Sequence, residues 1–124
     1  MPIIQLTQET FEQTISKHEL VLVDFWASWC APCLRFAPVY EKVAGDHPNV
    51  VFGKVDVDAQ AELAMQFGIR SIPTLMIFRD QIPVLVQAGA LPERALQQLL
   101  DDARTIDMGK VQAGLAVEHH HHHG

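Results

Sequence analysis

The chain has 124 residues, of which 48% are hydrophobic and 19% are charged, enough apolar material for one globular core with a charged surface. Its formal net charge is −6 and no basic cluster occurs, which argues against nucleic acid and anionic membranes as partners. No apolar run is long enough to cross a bilayer and no export leader is visible before Gln5, so we expect a soluble, cytoplasmic protein.

The C-terminal end of the chain differs in composition from the rest. Residues 118–124 contain five consecutive histidines, and we interpret them as an expression tag whose histidines are left out of any metal site. Hydrophobic periodicity is lost after about Arg104, so we predict one domain over 1–103 and a tail over 104–117. Disorder, an extension of the last helix and docking on a partner all remain open for that tail.

The first half of the chain alternates predicted strands and helices. The predicted elements are a strand at 3–6, a helix between Thr7 and His18, a strand at 20–27 and a helix at 31–45. The strand at 20–27 is almost wholly apolar, as expected for a strand buried on both faces of a sheet, and Asp24 is its one acid. We expect Gly45 to end the helix that follows.

The second half predicts one more strand and helix, then a hairpin and a final helix. The predicted elements are a strand at 50–57, a helix at 59–67 closed by Gly68, paired strands at 74–78 and 83–87, and a helix from Pro92. The final helix carries Leu96, Leu99 and Leu100 on one face. The predicted order is therefore βαβαβαββα, in the α/β class.

The only two cysteines, Cys30 and Cys33, are three residues apart where a predicted helix follows a buried strand. Such a pair is compatible with buried apolar packing, half of a metal site or redox chemistry. Tetrahedral zinc takes four ligands, but a second Cys-x-x-Cys is missing and His18 and His47 lie in unrelated segments, so we expect no metal site within one chain. A cluster shared between two chains remains open, although no sequence feature favours it.

Four stretches, VLVDFWASWCAPC, KVDVD, FGIRSIPTLMIF and AGAL, occur in this order and resemble the thioredoxin family. The resemblance covers about Ile3 to Ala103, and a Trp-Cys-x-Pro-Cys motif with a downstream Ile-Pro-Thr is far more specific than Cys-x-x-Cys alone. It implies the thioredoxin fold, a central mixed β-sheet flanked by helices, with the disulfide at the start of the second helix.

The same resemblance implies the activity and the partners. The expected reaction is reduction of protein disulfides through a Cys30-Cys33 dithiol/disulfide couple and a mixed-disulfide intermediate. Thioredoxin reductase, an NADPH-dependent flavoprotein, would recycle the oxidised form, and no cofactor beyond the redox-active disulfide is expected. We also expect a monomer.

The residues themselves predict different roles for the two thiols. Unpaired N–H groups and the macrodipole at a helix start stabilise a thiolate, so Cys30 should have a lowered pKa and act as the nucleophile. Cys33 lies one turn later and can attack the sulfur of Cys30, which makes it the expected resolving thiol. Pro32 fits the first helical turn and stiffens the redox loop.

Asp24 is an acid inside a buried strand, and burial should raise its pKa. Such a group near Cys33 can accept the proton of the resolving thiol. In the resembled fold, Lys54 is its expected charge partner, because the strand of Lys54 neighbours that of Asp24. The alternatives are that Asp24 is a hydrogen-bonded structural group and that Lys54 is a surface lysine.

The resemblance also predicts the surface that contacts substrate. It implies a cis Ile72-Pro73 bond facing the disulfide, which leaves the Ile72 backbone free to pair with an extended substrate segment. Trp29 should form an apolar rim around Cys30, whereas Trp26 should be mainly in the core. The residues expected to contact substrate are Trp29, Ala31, Pro32, Ile72, Pro73, Gly89 and Ala90.

Two departures from the usual residues of the family leave other functions open. Ala31 stands where the family usually has glycine, and Leu34 stands where lysine is common. These changes are compatible with a specialised thiol-disulfide exchanger that serves one pathway. The non-enzymatic alternative is a redox-independent binding module in which the cysteines are incidental.

Overall fold

The computed structural model describes residues 3–121. In chain order its elements are β1 (Ile3–Gln5), α1 (Gln8–Lys17), β2 (Leu20–Trp26), α2 (Ala31–Asp46), β3 (Val51–Asp56), α3 (Ala61–Gln66), β4 (Thr74–Arg79), β5 (Ile82–Ala88), α4 (Glu93–Thr105) and α5 (Met108–His121). The predicted order βαβαβαββα is confirmed, and α5 adds one further helix. Over this described range, no helix combines the length and apolar character needed to span a bilayer.

The five strands form one mixed sheet in the order β1-β3-β2-β4-β5. β1 and β2 both run parallel to β3, whereas β4 is antiparallel to β2 and to β5. The central strand β2 is therefore paired along both edges, with Asp24 opposite Lys54 on β3 and opposite Leu75 on β4. This sheet and its flanking helices confirm the predicted fold class.

Residues of β2 face two helical layers in alternation, as the two-residue period of a strand requires. Val21, Val23 and Phe25 pack in one apolar cluster with residues of α1 and α3, including Phe11. Leu22 packs on the opposite face in a second cluster with residues of α2 and α4. All residues from Val21 to Phe25 are buried, which explains the nearly unbroken apolar sequence of this strand.

Helix ends follow the predicted capping signals with two small differences. Gly68 closes α3 in a left-handed conformation, with φ of 64°, as predicted. α2 runs one residue past Gly45 to Asp46, and the backbone N–H of His47 caps it by donating to the Ala44 carbonyl. Pro92 is the N-cap of α4 rather than its first helical residue.

A clamp by Arg79 connects the sheet to the C-terminal helices. Its Nη1 donates to the carbonyl oxygens of Ala103, Arg104 and Ile106 at 3.1, 3.1 and 2.9 Å. These carbonyls lie at the end of α4, where the helix leaves them without partners of its own. After α4 ends at Thr105, a second C-terminal helix, α5, begins at Met108, a buried residue.

We expect Arg79→Ala to destabilise the protein, because the change leaves the carbonyls at the end of α4 without their charged donor. Hydrogen bonds to charged groups contribute about 1.5–3 kcal/mol, so the free energy of unfolding in urea should fall by about that amount. Arg94→Ala, at an exposed position of α4, is the matched control and should change stability by less than about 0.5 kcal/mol. Equal stabilities of the two variants would contradict the clamp.

Candidate functional site

The redox pair lies where β2 ends and α2 begins. Cys30 is the N-cap of α2 in an extended conformation, and its Sγ accepts a hydrogen bond from the backbone N–H of Cys33 at 3.2 Å. The two cysteines form a disulfide with their Cα atoms 5.3 Å apart. Pro32 lies in the first turn, where its missing N–H costs no helical hydrogen bond.

The start of α2 favours negative charge on Cys30. The first turn contains no acidic residue, so the N–H groups and the helix dipole act there without a competing carboxylate. Cys30 and Cys33 are 4% and 1% exposed, respectively, and pack with Ala27 in a small buried cluster. Leu34, one residue further, is 52% exposed, so an apolar side chain faces solvent beside the disulfide.

Two further segments reach the disulfide from the other half of the chain. The Sγ of Cys30 lies 3.7 Å from the carbonyl oxygen of Ile72. The Ile72-Pro73 bond is cis, and the Pro73 carbonyl accepts a hydrogen bond from the N–H of Gly89 at 2.8 Å. Gly89 has a φ of 93°, a conformation that favours glycine, and Ala90 beside it is exposed.

Trp29 and Trp26 have different environments, as the sequence predicts. Trp29 is 68% exposed, and its indole Nε1 donates to the Oδ2 of Asp58 at 2.8 Å. Asp58 is a residue that the sequence reasoning missed, although it lies in the KVDVD stretch directly after a strand that neighbours β2. Trp26 is half-buried and packs against the cysteine cluster.

Asp24 is fully buried, and neither of its carboxylate oxygens has a hydrogen-bond partner among the described residues. Burial raises the pKa of Asp24 from 3.8 to about 7, and the positive charge of Lys54 opposes the rise. Lys54 makes no direct ion pair with Asp24; its Nζ lies 4.4 Å from the centre of the Trp26 ring. Lys54 therefore acts on Asp24 at a distance.

Tyr40, a buried residue of α2, is a second polar residue behind the site, and the sequence analysis did not identify it. Its hydroxyl donates to the Gly53 carbonyl at 2.8 Å. Burial, and then the charge of Asp24, raise the pKa of Tyr40 well above its usual value. The phenol is consequently neutral at physiological pH.

Comparison with known proteins agrees with this geometry. The sequence profile of the family described as Thioredoxin matches residues 2–102. The chain belongs to the thioredoxin family. Thioredoxins reduce protein disulfides, and with its cysteine pair in disulfide contact this chain is a thiol-disulfide oxidoreductase of the protein-disulfide reductase type.

Individual thioredoxins match over most of their length. The Streptomyces coelicolor protein named "Putative thioredoxin 2" is 56% identical over 115 residues, covering 93% of this chain and 86% of that protein. A thioredoxin of Alicyclobacillus acidocaldarius is 45% identical over 98 residues, covering 78% and 93%. A solved structure of Plasmodium falciparum thioredoxin has a TM-score of 0.75 at 40% identity, covering 80% of this chain and 97% of that one.

The Streptomyces coelicolor match also bears on the C-terminal segment. A match of 115 residues is longer than the 103 residues assigned to the domain, so it includes part of the segment after Ala103. Among residues 3–114, whose side chains the structure describes, no group of three or more His, Cys, Asp or Glu residues could hold a metal ion.

Asp24→Asn should make the protein more stable above neutral pH. The raised pKa of Asp24 means that the native state binds more protons than the unfolded state between about pH 4 and 7, so wild-type stability falls as pH rises through that window. A shift from 3.8 to about 7 corresponds to as much as about 4 kcal/mol at pH 8, less the cost of burying the amide.

Urea unfolding at pH 4, 6 and 8 measures this effect. The advantage of Asp24→Asn should be present at pH 8 and absent at pH 4. Asp101→Asn, at an exposed position of α4, is the control, and its free energy of unfolding should stay close to that of wild type at all three pH values. A variant that is less stable than wild type at pH 8 would identify Asp24 as a structural hydrogen-bonding group.

Proposed function

We propose that Cys30 is the nucleophile of this reductase and Cys33 the resolving thiol. The Cys30 thiolate attacks one sulfur of a substrate disulfide, and the other substrate sulfur leaves as a thiolate and takes up a proton. Cys33 then loses its proton and attacks the Sγ of Cys30, which forms the Cys30-Cys33 disulfide and releases the second substrate sulfur. Two electrons pass from the protein to the substrate.

The observation that carries this assignment is the position of Cys30 as N-cap of α2. A backbone N–H reaches its sulfur at 3.2 Å, and the free N–H groups of the first turn stabilise a thiolate there. Cys33 is already part of the helix and is almost completely buried. The Cys33 thiol can therefore react with the neighbouring Cys30 sulfur more readily than with a disulfide of a large protein substrate.

We infer that Asp24 is the proton acceptor for Cys33. A group with a pKa of about 7 exchanges protons at neutral pH with little driving force in either direction, which suits a general base. Lys54 would tune this acidity through its charge. Burial without hydrogen-bond partners supports the functional reading of Asp24 over a structural one.

The surface around the disulfide would bind an extended segment of the substrate. The carbonyl of Ile72 lies beside the Cys30 sulfur, and the bond from Gly89 to Pro73 holds this edge in place. The exposed residues that would complete the contact surface are Trp29, Ala31, Pro32 and Ala90. Backbone pairing of this type recognises many sequences, as a general disulfide reductase requires.

The partners follow from the family and from the charge of the chain. We propose protein disulfides as substrates and thioredoxin reductase as the source of electrons, with no resident cofactor other than the Cys30-Cys33 disulfide. A monomer in the cytoplasm fits a reductant, because reducing compartments keep thiols reduced. We assign the catalytic unit to 1–103 and regard the segment over 104–117, in which α5 begins, as an addition to it.

A specialised exchanger is the second candidate function, and the exposure of Leu34 favours it. An apolar side chain that is 52% exposed beside the disulfide, where lysine is common, changes both the charge and the shape offered to a partner. Comparing rates with several disulfide substrates separates the two functions. A general reductase reduces all of them, whereas a specialised one strongly prefers a single partner.

Insulin reduction followed by turbidity, with dithiothreitol as electron source, tests the proposed chemistry. Wild type should accelerate precipitation, and Cys30→Ser should be no faster than dithiothreitol alone. Cys33→Ser, reduced and then freed of dithiothreitol before insulin is added, should instead accumulate a mixed disulfide with the substrate, seen on a non-reducing gel and reversed by excess thiol. If wild type shows no dithiol-dependent rate, the chain is a binding module.

Asp24→Asn should slow insulin reduction by about 10- to 100-fold at neutral pH, because Cys33 loses its proton acceptor. Cys30 keeps the helix start, so its alkylation rate in the reduced protein should not change. Rates equal to wild type across pH 6 to 8 would exclude Asp24 as the acceptor.

A further inference from the structure

Three side chains at one end of the sheet share a face. Asp24 and Trp26 are two residues apart on β2, so they point to the same side, and Asp24 lies opposite Lys54 in the parallel pairing with β3. The Lys54 Nζ lies 4.4 Å from the centre of the Trp26 ring, within the range of a cation–π contact. One ammonium group thus has two neighbours that attract it.

The ammonium contacts the ring and not the carboxylate. Neighbouring strands are about 4.8 Å apart, so Lys54 could reach the carboxyl group that lies directly opposite it. Both Asp24 oxygens nevertheless have no hydrogen-bond partner among the described residues. We propose that Trp26 is a positioning residue, whose ring face holds the Lys54 ammonium beside Asp24 but out of ion-pair contact with it.

This inference rests on the proposed role of Asp24 as proton acceptor, and it explains how the pKa of Asp24 is kept high enough for that role. A direct ion pair with Lys54 would favour the charged carboxylate and lower the pKa of Asp24. Asp24 would then be a weaker base at neutral pH. By keeping the ammonium on its ring, Trp26 leaves desolvation as the dominant influence on the pKa of Asp24.

Few charged or titratable groups face Asp24 from the elements packed against it. β3 contributes Lys54, and α2 contributes Tyr40, whose phenol is neutral. Cys33, also on α2, packs in the cluster that Trp26 contacts, and it titrates only when the disulfide is reduced. On β4 the residue opposite Asp24 is the apolar Leu75. Among the described residues, Lys54 is therefore the cation that acts on Asp24.

A competing explanation is that the Trp26 ring only excludes water from Asp24. Both explanations predict that removing the ring lowers the pKa of Asp24, because either a cation or water would approach the carboxylate. They differ once Lys54 is neutral. If the ring acts through the ammonium, removing the ring has no effect in a Lys54→Gln background, whereas water exclusion gives the same effect in both backgrounds.

Carbon-13 NMR of the Asp24 carboxyl group in the oxidised full chain tests the proposal by pH titration. We expect Trp26→Leu to lower the titration midpoint by about one pH unit or more, and Lys54→Gln to raise it. Trp26→Phe keeps an aromatic face and should remain close to wild type. The double variant should have the midpoint of Lys54→Gln alone.

Equal shifts for Trp26→Leu in the two backgrounds would overturn the proposal in favour of water exclusion. A midpoint that rises or stays unchanged in Trp26→Leu would also overturn it. Should Trp26→Leu not fold, Trp26→Met takes its place in both backgrounds. Lys54→Gln can overturn the proposal on its own, because a midpoint that does not rise would show that the ammonium does not act on Asp24.

The pH profile of insulin reduction by Trp26→Leu separates this proposal from the proposed function. If the Asp24 midpoint and the rate profile both move to lower pH, both proposals are supported. If the midpoint moves and the rate profile does not, Trp26 positions Lys54 but Asp24 is not the proton acceptor.

Discussion

Burial of β2 on both faces and along both edges is the constraint on which the site depends. The strand is covered by two helical layers and hydrogen-bonded to β3 and β4. Asp24 is therefore fully buried, and burial disfavours its charged form. The same strand ends at Trp26, where the chain turns into α2 and makes Cys30 its N-cap. The same buried strand thus carries Asp24, whose pKa is raised, and leads into the turn that places Cys30 at the start of α2.

The direction of the strands explains why distant segments meet at the disulfide. β2 and β3 are parallel, so their C-terminal ends lie together and bring Asp58 to Trp29. β4 is antiparallel to β2 and begins at that end, which places Ile72 beside Cys30. β5 runs back to the same end of the sheet, so that the N–H of Gly89 donates to the Pro73 carbonyl. The site is therefore a consequence of sheet topology rather than of sequence proximity.

Features encoded in local patterns were predictable, and features that need the tertiary register were not. The apolar run of β2, the helix after Cys30 and the left-handed Gly68 follow from strand burial, helix starts and glycine conformation. The bonds from Trp29 to Asp58 and from Tyr40 to Gly53 join residues whose proximity no local pattern encodes. α5 could not be predicted from the sequence, because the apolar residues of this segment do not follow a helical period.

The start of α2 makes the two thiols unequal, and this inequality underlies the proposed reaction. Alkylation of the reduced full chain with a limiting amount of iodoacetamide at pH 7, followed by peptide mass spectrometry, measures it directly. Because a helix start lowers the pKa of a thiol, Cys30 should be labelled about tenfold faster than Cys33. Equal labelling, or faster labelling of Cys33, would contradict the assignment of Cys30 as the nucleophile.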